Sequence, residues 1–159
     1  MNHSSTRKIT FGGVIAALYV VLTVVANAFG LASGAIQVRI SEALTILPVF
    51  TIAAIPGLTV GCVLANLITG CAPWDVVFGS LATLIGAVGT RMLRKKPLLA
   101  WIPPVIANMA IVPVVLQKVY GVPDAWWYLA LTVGAGEVMS CGILGLLLYH
   151  SVKNIPQLR

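Results

Sequence analysis

The sequence predicts an all-α integral membrane protein of six transmembrane helices, and three observations predict it. Of 159 residues, 59% are hydrophobic and 9% charged, against about 25% charged in soluble domains, and mean hydropathy is +1.00. Apolar stretches run over residues 9–29, 43–68, 76–93, 98–116 and 125–149, where a crossing helix needs about 20 residues. The ten basic residues sit almost wholly at the ends of these stretches. At 16.7 kDa and with no long polar segment, the chain is expected to be one domain, 1–159, without an appended soluble part.

Each span then follows from charge parity. Arg7/Lys8, the cluster Arg91/Arg94/Lys95/Lys96 and Lys153/Arg159 all belong in the cytoplasm under the positive-inside rule. An even number of crossings must separate the first two clusters, so the ambiguous stretch 43–68 has to cross twice. Pro48 and Pro56-Gly57 interrupt it, and Pro56 suits an early position of a new helix because proline lacks the amide proton that an interior turn uses. The expected helices are 9–29, 41–54, 56–70, 75–93, 98–118 and 124–150, with Ala53–Pro56 a cytoplasmic turn and both termini cytoplasmic. The second and third are short, so tilting or shielding of their ends by protein is expected. Arg7-Lys8 followed by an apolar run and Ala26-Asn27-Ala28 mimics a signal peptide, but the run is long for a signal core and reads as a retained first span.

Several function classes are excluded. A net charge of +6 suggests nucleic acid, but basic residues at span ends set orientation instead, so no nucleic-acid partner is expected. Cys62, Cys71 and Cys141 are odd in number and lack CxxC spacing, which favours buried small hydrophobes over disulfides. His3 and His150 lie near opposite ends of the chain, giving no metal-ligand pattern, and no cofactor is expected. No Walker A sequence occurs, so the chain does not itself use ATP in the P-loop manner, and no nucleophile-plus-base motif stands out. A small-molecule binding subunit of a transporter, an ion or proton pathway and an intramembrane enzyme remain, and the favoured reading is a transport subunit without its own ATPase site, not an enzyme.

The acidic residues carry the functional signal, because Glu42, Asp75 and Glu137 lie in or against apolar stretches and an ionisable group at membrane depth costs at least about 2.5 kcal/mol. Asp124 reads as a loop charge. In the six-helix topology Gln37, Arg39, Ser41 and Glu42 enter the second helix from outside, Asn66 lies in the outer half of the third, and Trp74 and Asp75 open the fourth. Trp126 and Trp127 open the sixth. An interfacial aromatic belt is the favoured account of each tryptophan taken alone, an acidic first-turn residue favoured by the helix dipole accounts equally for Asp75, and an Arg39–Glu42 pair across one turn is an alternative for Glu42. Glu137 is about twelve residues from either end of its span, near mid-bilayer at ~1.5 Å per residue. Gly134, Ser140 and Cys141 share its face, a small-residue surface suited to a neighbouring helix or cavity. Asn108 reaches comparable depth, near the Met109 carbonyl freed by Pro113, and a ligand-free Glu137–Asn108 hydrogen bond is the competing account. Gly12/Ala16 and Gly13/Ala17 give the first helix two small-residue stripes for close helix approach, either internal or to a partner. With only Glu137 deep, a binding subunit fits better than a proton pathway, which strings its ionisable groups through the membrane.

The run Gln37-Val-Arg-Ile-Ser-Glu-Ala-Leu-Thr-Ile-Leu-Pro48, with Pro56-Gly57-Leu58, Gly61-Cys-Val-Leu-Ala-Asn66 and Asp75-Val-Val-Phe-Gly-Ser-Leu-Ala-Thr83, resembles the QueT family, queuosine-precursor substrate-binding subunits (S components) of energy-coupling-factor transporters. The resemblance spans nearly the whole chain. It implies a six-helix S-component bundle in the bacterial plasma membrane that captures a 7-deazaguanine such as 7-aminomethyl-7-deazaguanine from outside. It also implies partners: a transmembrane coupling protein with two ATPase subunits, docked through a small-residue motif on the first helix at Gly13/Ala17 or Gly12/Ala16. A 7-deazaguanine presents adjacent N–H donors that a carboxylate accepts in bidentate fashion, and a flat face for stacking on tryptophan. The candidate substrate residues are Glu137, Glu42, Asp75, Arg39, Asn66, Asn108, Trp74 and Trp127. Another purine-like or vitamin substrate is the alternative.

Overall fold

Glycine and alanine set how the first helices meet. In a computed structural model, which describes residues 3–31 and 37–155, α1 (His3–Ala28) lies along α2 (Ala54–Ile68). A Cβ built on Gly57 would sit 2.6 Å from the Gly12 carbonyl oxygen, and one on Gly61 would sit 2.8 Å from Tyr19 Cβ. The small side chains thus permit backbone-to-backbone contact, the way membrane helices gain packing energy without help from water. Both helices end in glycine at positive φ, Gly30 at 71° and Gly70 at 75°. In each, the next amide reaches back five residues, Leu31 to Ala26 and Cys71 to Asn66, the Schellman arrangement that satisfies orphan carbonyls.

All described elements are helical: α3 spans Pro73–Met92, α4 Ile102–Lys118, α5 Trp126–Glu137 and α6 Gly145–Val152. Gly86 and Gly89 of α3 admit Pro104 and Pro103 of α4 at distances no Cβ would allow. A π-helical stretch, Val138–Leu144, joins α5 to α6 into one apolar run, Trp126–Val152. Among the described residues, four helices are long and apolar enough to cross a membrane: Ser5–Ala28, Pro73–Met92, Pro97–Lys118 and Trp126–Val152. Two shorter apolar helices accompany them, Ile40–Val49 and Ala54–Ile68.

The stretch 43–68 divides as expected, with two differences. Its break lies at Phe50–Ala53, one turn before the expected Ala53–Pro56, and Pro56 becomes the third residue of α2. The first half, Ile40–Val49, is a 3-10 helix instead of an α-helix. At about 2.0 Å rise per residue its ten residues cover about 20 Å, against about 15 Å as an α-helix, so the tighter coil lengthens a short segment. Such a run is unusual, because 3-10 geometry rarely persists beyond about four residues. It survives here by enclosure: Ser41 through Pro48 are all buried, against α1, α2, α3, the π stretch and α6. Arg91 Nη1 closes its far end, donating to the carbonyls of Pro48 (3.0 Å) and Val49 (3.2 Å). The expected shielding of the short segment is therefore met by burial. Elsewhere α1 begins at His3, six residues before the expected start. The fifth expected span, 98–118, opens with a 3-10 turn, Pro97–Leu99, before α4. Arg159 and part of the expected loop 30–40 lie outside the described residues.

Candidate substrate site

The 3-10 helix places Arg39, Glu42 and Thr45 one above another, because residues three apart eclipse at three per turn. Thr45 Oγ1 donates to the Glu42 carbonyl at 2.6 Å, and the Glu42 amide donates to the Arg39 carbonyl at 2.9 Å. Glu42 is only 1% exposed. Its Oε1 accepts a hydrogen bond from the Tyr19 hydroxyl of α1. Its Oε2 is buried without a partner among the described residues.

Glu137 arrives beside it from α5, through a close approach its neighbour permits. A Cβ on Gly136 would fall 2.1 Å from the Gln37 carbonyl oxygen, so only glycine lets the segment leading to Arg39 lie against that helix. Cys141 Sγ donates to Glu137 Oε2 at 3.2 Å and approaches the Glu42 carbonyl at 3.5 Å, while Thr45 Oγ1 lies 3.4 Å from Cys141 Sγ. Ser140 Oγ and Ser80 Oγ are likewise buried and unpartnered. Glu137, Ser140 and Cys141 fall at the start of the π stretch, a rare geometry that concentrates at functional sites. Burial disfavours the charge of Arg39, but Tyr19, Glu137 and Glu42 around it outweigh that and hold its pKa above the ordinary value.

Above this acidic pair lies a polar cavity of about 360 Å³, bordered by Tyr19, Thr23, Arg39, Asn66, Asp75 and Tyr120 among others. Tyr19 belongs to both: it borders the cavity, and its hydroxyl holds Glu42. Thr23 Oγ1 donates to Ser41 Oγ at 2.8 Å. Asp75 enters from the first turn of α3, where Oδ2 accepts from the Tyr120 hydroxyl at 2.8 Å, and the Ala72 amide donates to that same hydroxyl at 3.2 Å. Burial, with Asp75 adding to it, pushes the Tyr120 hydroxyl up to about 12.

The sequence-derived candidates thus separate. Arg39, Asn66 and Asp75 border the cavity, Glu42 lies behind Tyr19, and Glu137 lies beside Glu42. Asn108 is buried at comparable depth, but its amide donates to the Pro104 carbonyl of its own helix at 3.1 Å, so the alternative Glu137–Asn108 bond is not formed. Trp74 is 62% exposed and borders a different groove, stacked on Phe78. Trp127 is exposed and meets Tyr128 edge-on. The aromatic rings at the cavity are Tyr19 and Tyr120, which sequence reasoning missed. The available signal was that a tyrosine in an apolar span needs a partner for its hydroxyl.

The two stripes of α1 also part. Gly12 and Ala16 pack against Ala53, Gly57 and Gly61, whereas Gly13 has nothing within 4 Å of a built Cβ and, with Ala17, is exposed. Metal-binding capacity is confined, among the described residues, to Glu42, Glu137 and Cys141, whose ligand atoms lie within 4.8 Å of one another. The Arg39 charge acting on both carboxylates opposes a cation there.

Comparison with known proteins agrees with this picture of a membrane transporter. A family model described as QueT transporter matches residues 9–154. A protein of Lactococcus lactis subsp. cremoris (strain MG1363) named "Queuosine precursor transporter QueT" is 36% identical over 86 residues, 54% of this chain and 50% of that protein. The chain therefore matches about half the length of that relative. No solved structure matches.

Proposed function

This chain belongs to the QueT transporter family, and from that premise we propose that it is the substrate-binding subunit of an energy-coupling-factor importer. It captures a 7-deazaguanine queuosine precursor, such as 7-aminomethyl-7-deazaguanine, outside the bacterial plasma membrane. The chain forms one domain of six crossings with both termini cytoplasmic. The cavity bordered by Asp75 and Tyr120 then opens outward, and Arg91, Arg94, Lys95 and Lys96 face the cytoplasm. ATP hydrolysis is supplied by a transmembrane coupling protein with two ATPase subunits.

The observation that carries the substrate assignment is the unpartnered Oε2 of buried Glu42 beside Glu137. Acceptors left unsatisfied at depth cost about 1–3 kcal/mol each, and a base edge with adjacent N–H donors removes that cost. Glu137 and Glu42 accept those donors, Arg39 balances their charge, Asp75 faces an aminomethyl cation, and Tyr19 and Tyr120 offer their rings to the flat face. Calorimetric titration of 7-aminomethyl-7-deazaguanine tests this. Glu137→Gln, isosteric and fold-preserving, should weaken binding by about 2–5 kcal/mol, tens-fold or more, and an unchanged Kd removes Glu137 from the site. A proton pathway predicts the reverse, pH-dependent flux altered at constant affinity.

The exposed Gly13/Ala17 stripe is the docking surface for the coupling protein, and Gly12/Ala16 serve internal packing. Leucine at Gly13 or Ala17 should abolish uptake while leaving ligand binding by the isolated subunit intact. Equal loss of both would return that stripe to internal packing. A single cysteine at Ile52, exposed in the break between the two short helices, in a background without native cysteines, should be labelled from the cytoplasmic side alone. Labelling from outside overturns the six-crossing topology.

A further inference from the structure

Lys118 stands apart from the other basic residues. In the proposed topology the rest of the described ones lie at the cytoplasmic ends of spans, except Arg39, which is engaged by Tyr19, Glu137 and Glu42. Lys118 ends α4 at the opposite, outer end and is exposed. Among the described residues no hydrogen bond or ion pair engages its ammonium. Of the two acids on the outer side, Asp75 accepts from Tyr120, and Asp124 is tied to Gln117, the residue before Lys118, through its backbone carbonyl and not through its carboxylate.

The lysine borders an open groove of about 490 Å³ between α3 and α4, with Trp74, Phe78, Ala110, Ile111 and Val114. Both walls are helices apolar and long enough to cross a membrane. An apolar groove on such walls faces acyl chains, and a cation at its mouth beside an exposed indole sits at headgroup level. We propose that this groove binds one anionic phospholipid, its acyl chain lying along Phe78, Ile111 and Val114 and its phosphate paired with Lys118. Charge complementarity selects that occupant: a second protein helix would fill the groove but leave the ammonium unmatched. The bound lipid seals the α3–α4 seam directly outside Asp75, so the polar cavity does not leak sideways into the bilayer.

The test is native mass spectrometry of the full chain in mild detergent, with equimolar phosphatidylglycerol and phosphatidylcholine of identical acyl chains. Wild type should retain one phosphatidylglycerol in preference to phosphatidylcholine by about fivefold, the attraction one basic residue contributes near an anionic headgroup. Lys118→Gln should erase the preference while leaving weak retention of both lipids, and Lys118→Glu should invert it. Because Lys118 is exposed, neither variant disturbs the core, and an unchanged melting temperature verifies this. Equal retention of both lipids by wild type, or an undiminished preference in Lys118→Gln, overturns the proposal. So does loss of lipid on dimerisation or on adding the coupling protein, which would assign the groove to a protein partner. None of these outcomes touches the substrate assignment, which rests on Glu42 and Glu137.

Discussion

Two tyrosine–carboxylate pairs bracket the polar cavity, and their difference shows what burial does to the same chemistry. Tyr19 and Glu42 are 2% and 1% exposed, joining α1 to the 3-10 helix. At the mouth Asp75 is 7% exposed but its partner Tyr120 is 46% exposed. The inner carboxylate keeps a buried oxygen with no partner, whereas Asp75 has none. Inside, where effective dielectric is low, an unmatched acceptor is costly and a matched one correspondingly strong. At the mouth, water takes up whatever the tyrosine leaves. In the proposed reading the inner pair is the one a ligand completes, while the outer pair, besides facing the ligand, ties the start of α3 to the end of α4.

The largest expected effect breaks the inner pair. Glu42→Gln replaces an acceptor oxygen with an amide that presents N–H to the N–H edge of the ligand, so affinity should fall by about 2–5 kcal/mol. Asp75→Asn should cost clearly less, since solvent reaches that site. Calorimetry on the two variants side by side reads the contrast, and equal losses would mean that the mouth binds the ligand as directly as the floor does.

A smaller effect is expected from moving Tyr19 without changing its chemistry. Gly61→Ala would place a methyl 2.8 Å from Tyr19 Cβ and 3.0 Å from the Ala16 carbonyl oxygen. Overpacking of this kind costs about 1–3 kcal/mol. Thermal melting with and without ligand should show lower stability and a reduced ligand-induced shift, because the displaced hydroxyl no longer fixes Glu42. Normal stabilisation by ligand in a destabilised variant would detach Tyr19 from the site.

How much of this was legible in the sequence depends on whether the signal was local. Pro48 and Pro56-Gly57 marked the interruption of 43–68, and Pro56 the start of α2, because both are properties of short stretches. The 3-10 conformation of Ile40–Val49 was not legible: it depends on enclosure by five other elements, and hydrophobic periodicity is silent for a segment buried on every side. The acids Glu42, Asp75 and Glu137 announced themselves by the cost of charge at depth. Their tyrosine partners did not, since Tyr19 and Glu42 are 23 residues apart and Tyr120 and Asp75 are 45 apart. Trp74 was drawn towards the cavity by its neighbour Asp75, but adjacent helical residues point in directions about 100° apart, and the structure turns the indole to the α3–α4 groove.

The smallest effect belongs to the outer pair. Tyr120→Phe deletes the donor to Asp75 Oδ2 and leaves the ring. A part-exposed hydrogen bond contributes at most about 1 kcal/mol net, so affinity should fall by no more than a few-fold. The same variant also frees the Ala72 amide at the start of α3, which water satisfies. With its pKa at about 12, Tyr120 remains a donor throughout the neutral and mildly alkaline range. The sign follows: the contact is present below that pKa and lost only above it, so the affinity ratio of Tyr120→Phe to wild type should stay constant across neutral pH. A ratio that changes with pH there would detach the contact from the Tyr120 hydroxyl. A loss as large as that of Glu42→Gln would remove the distinction between a floor that recognises and a mouth that fastens.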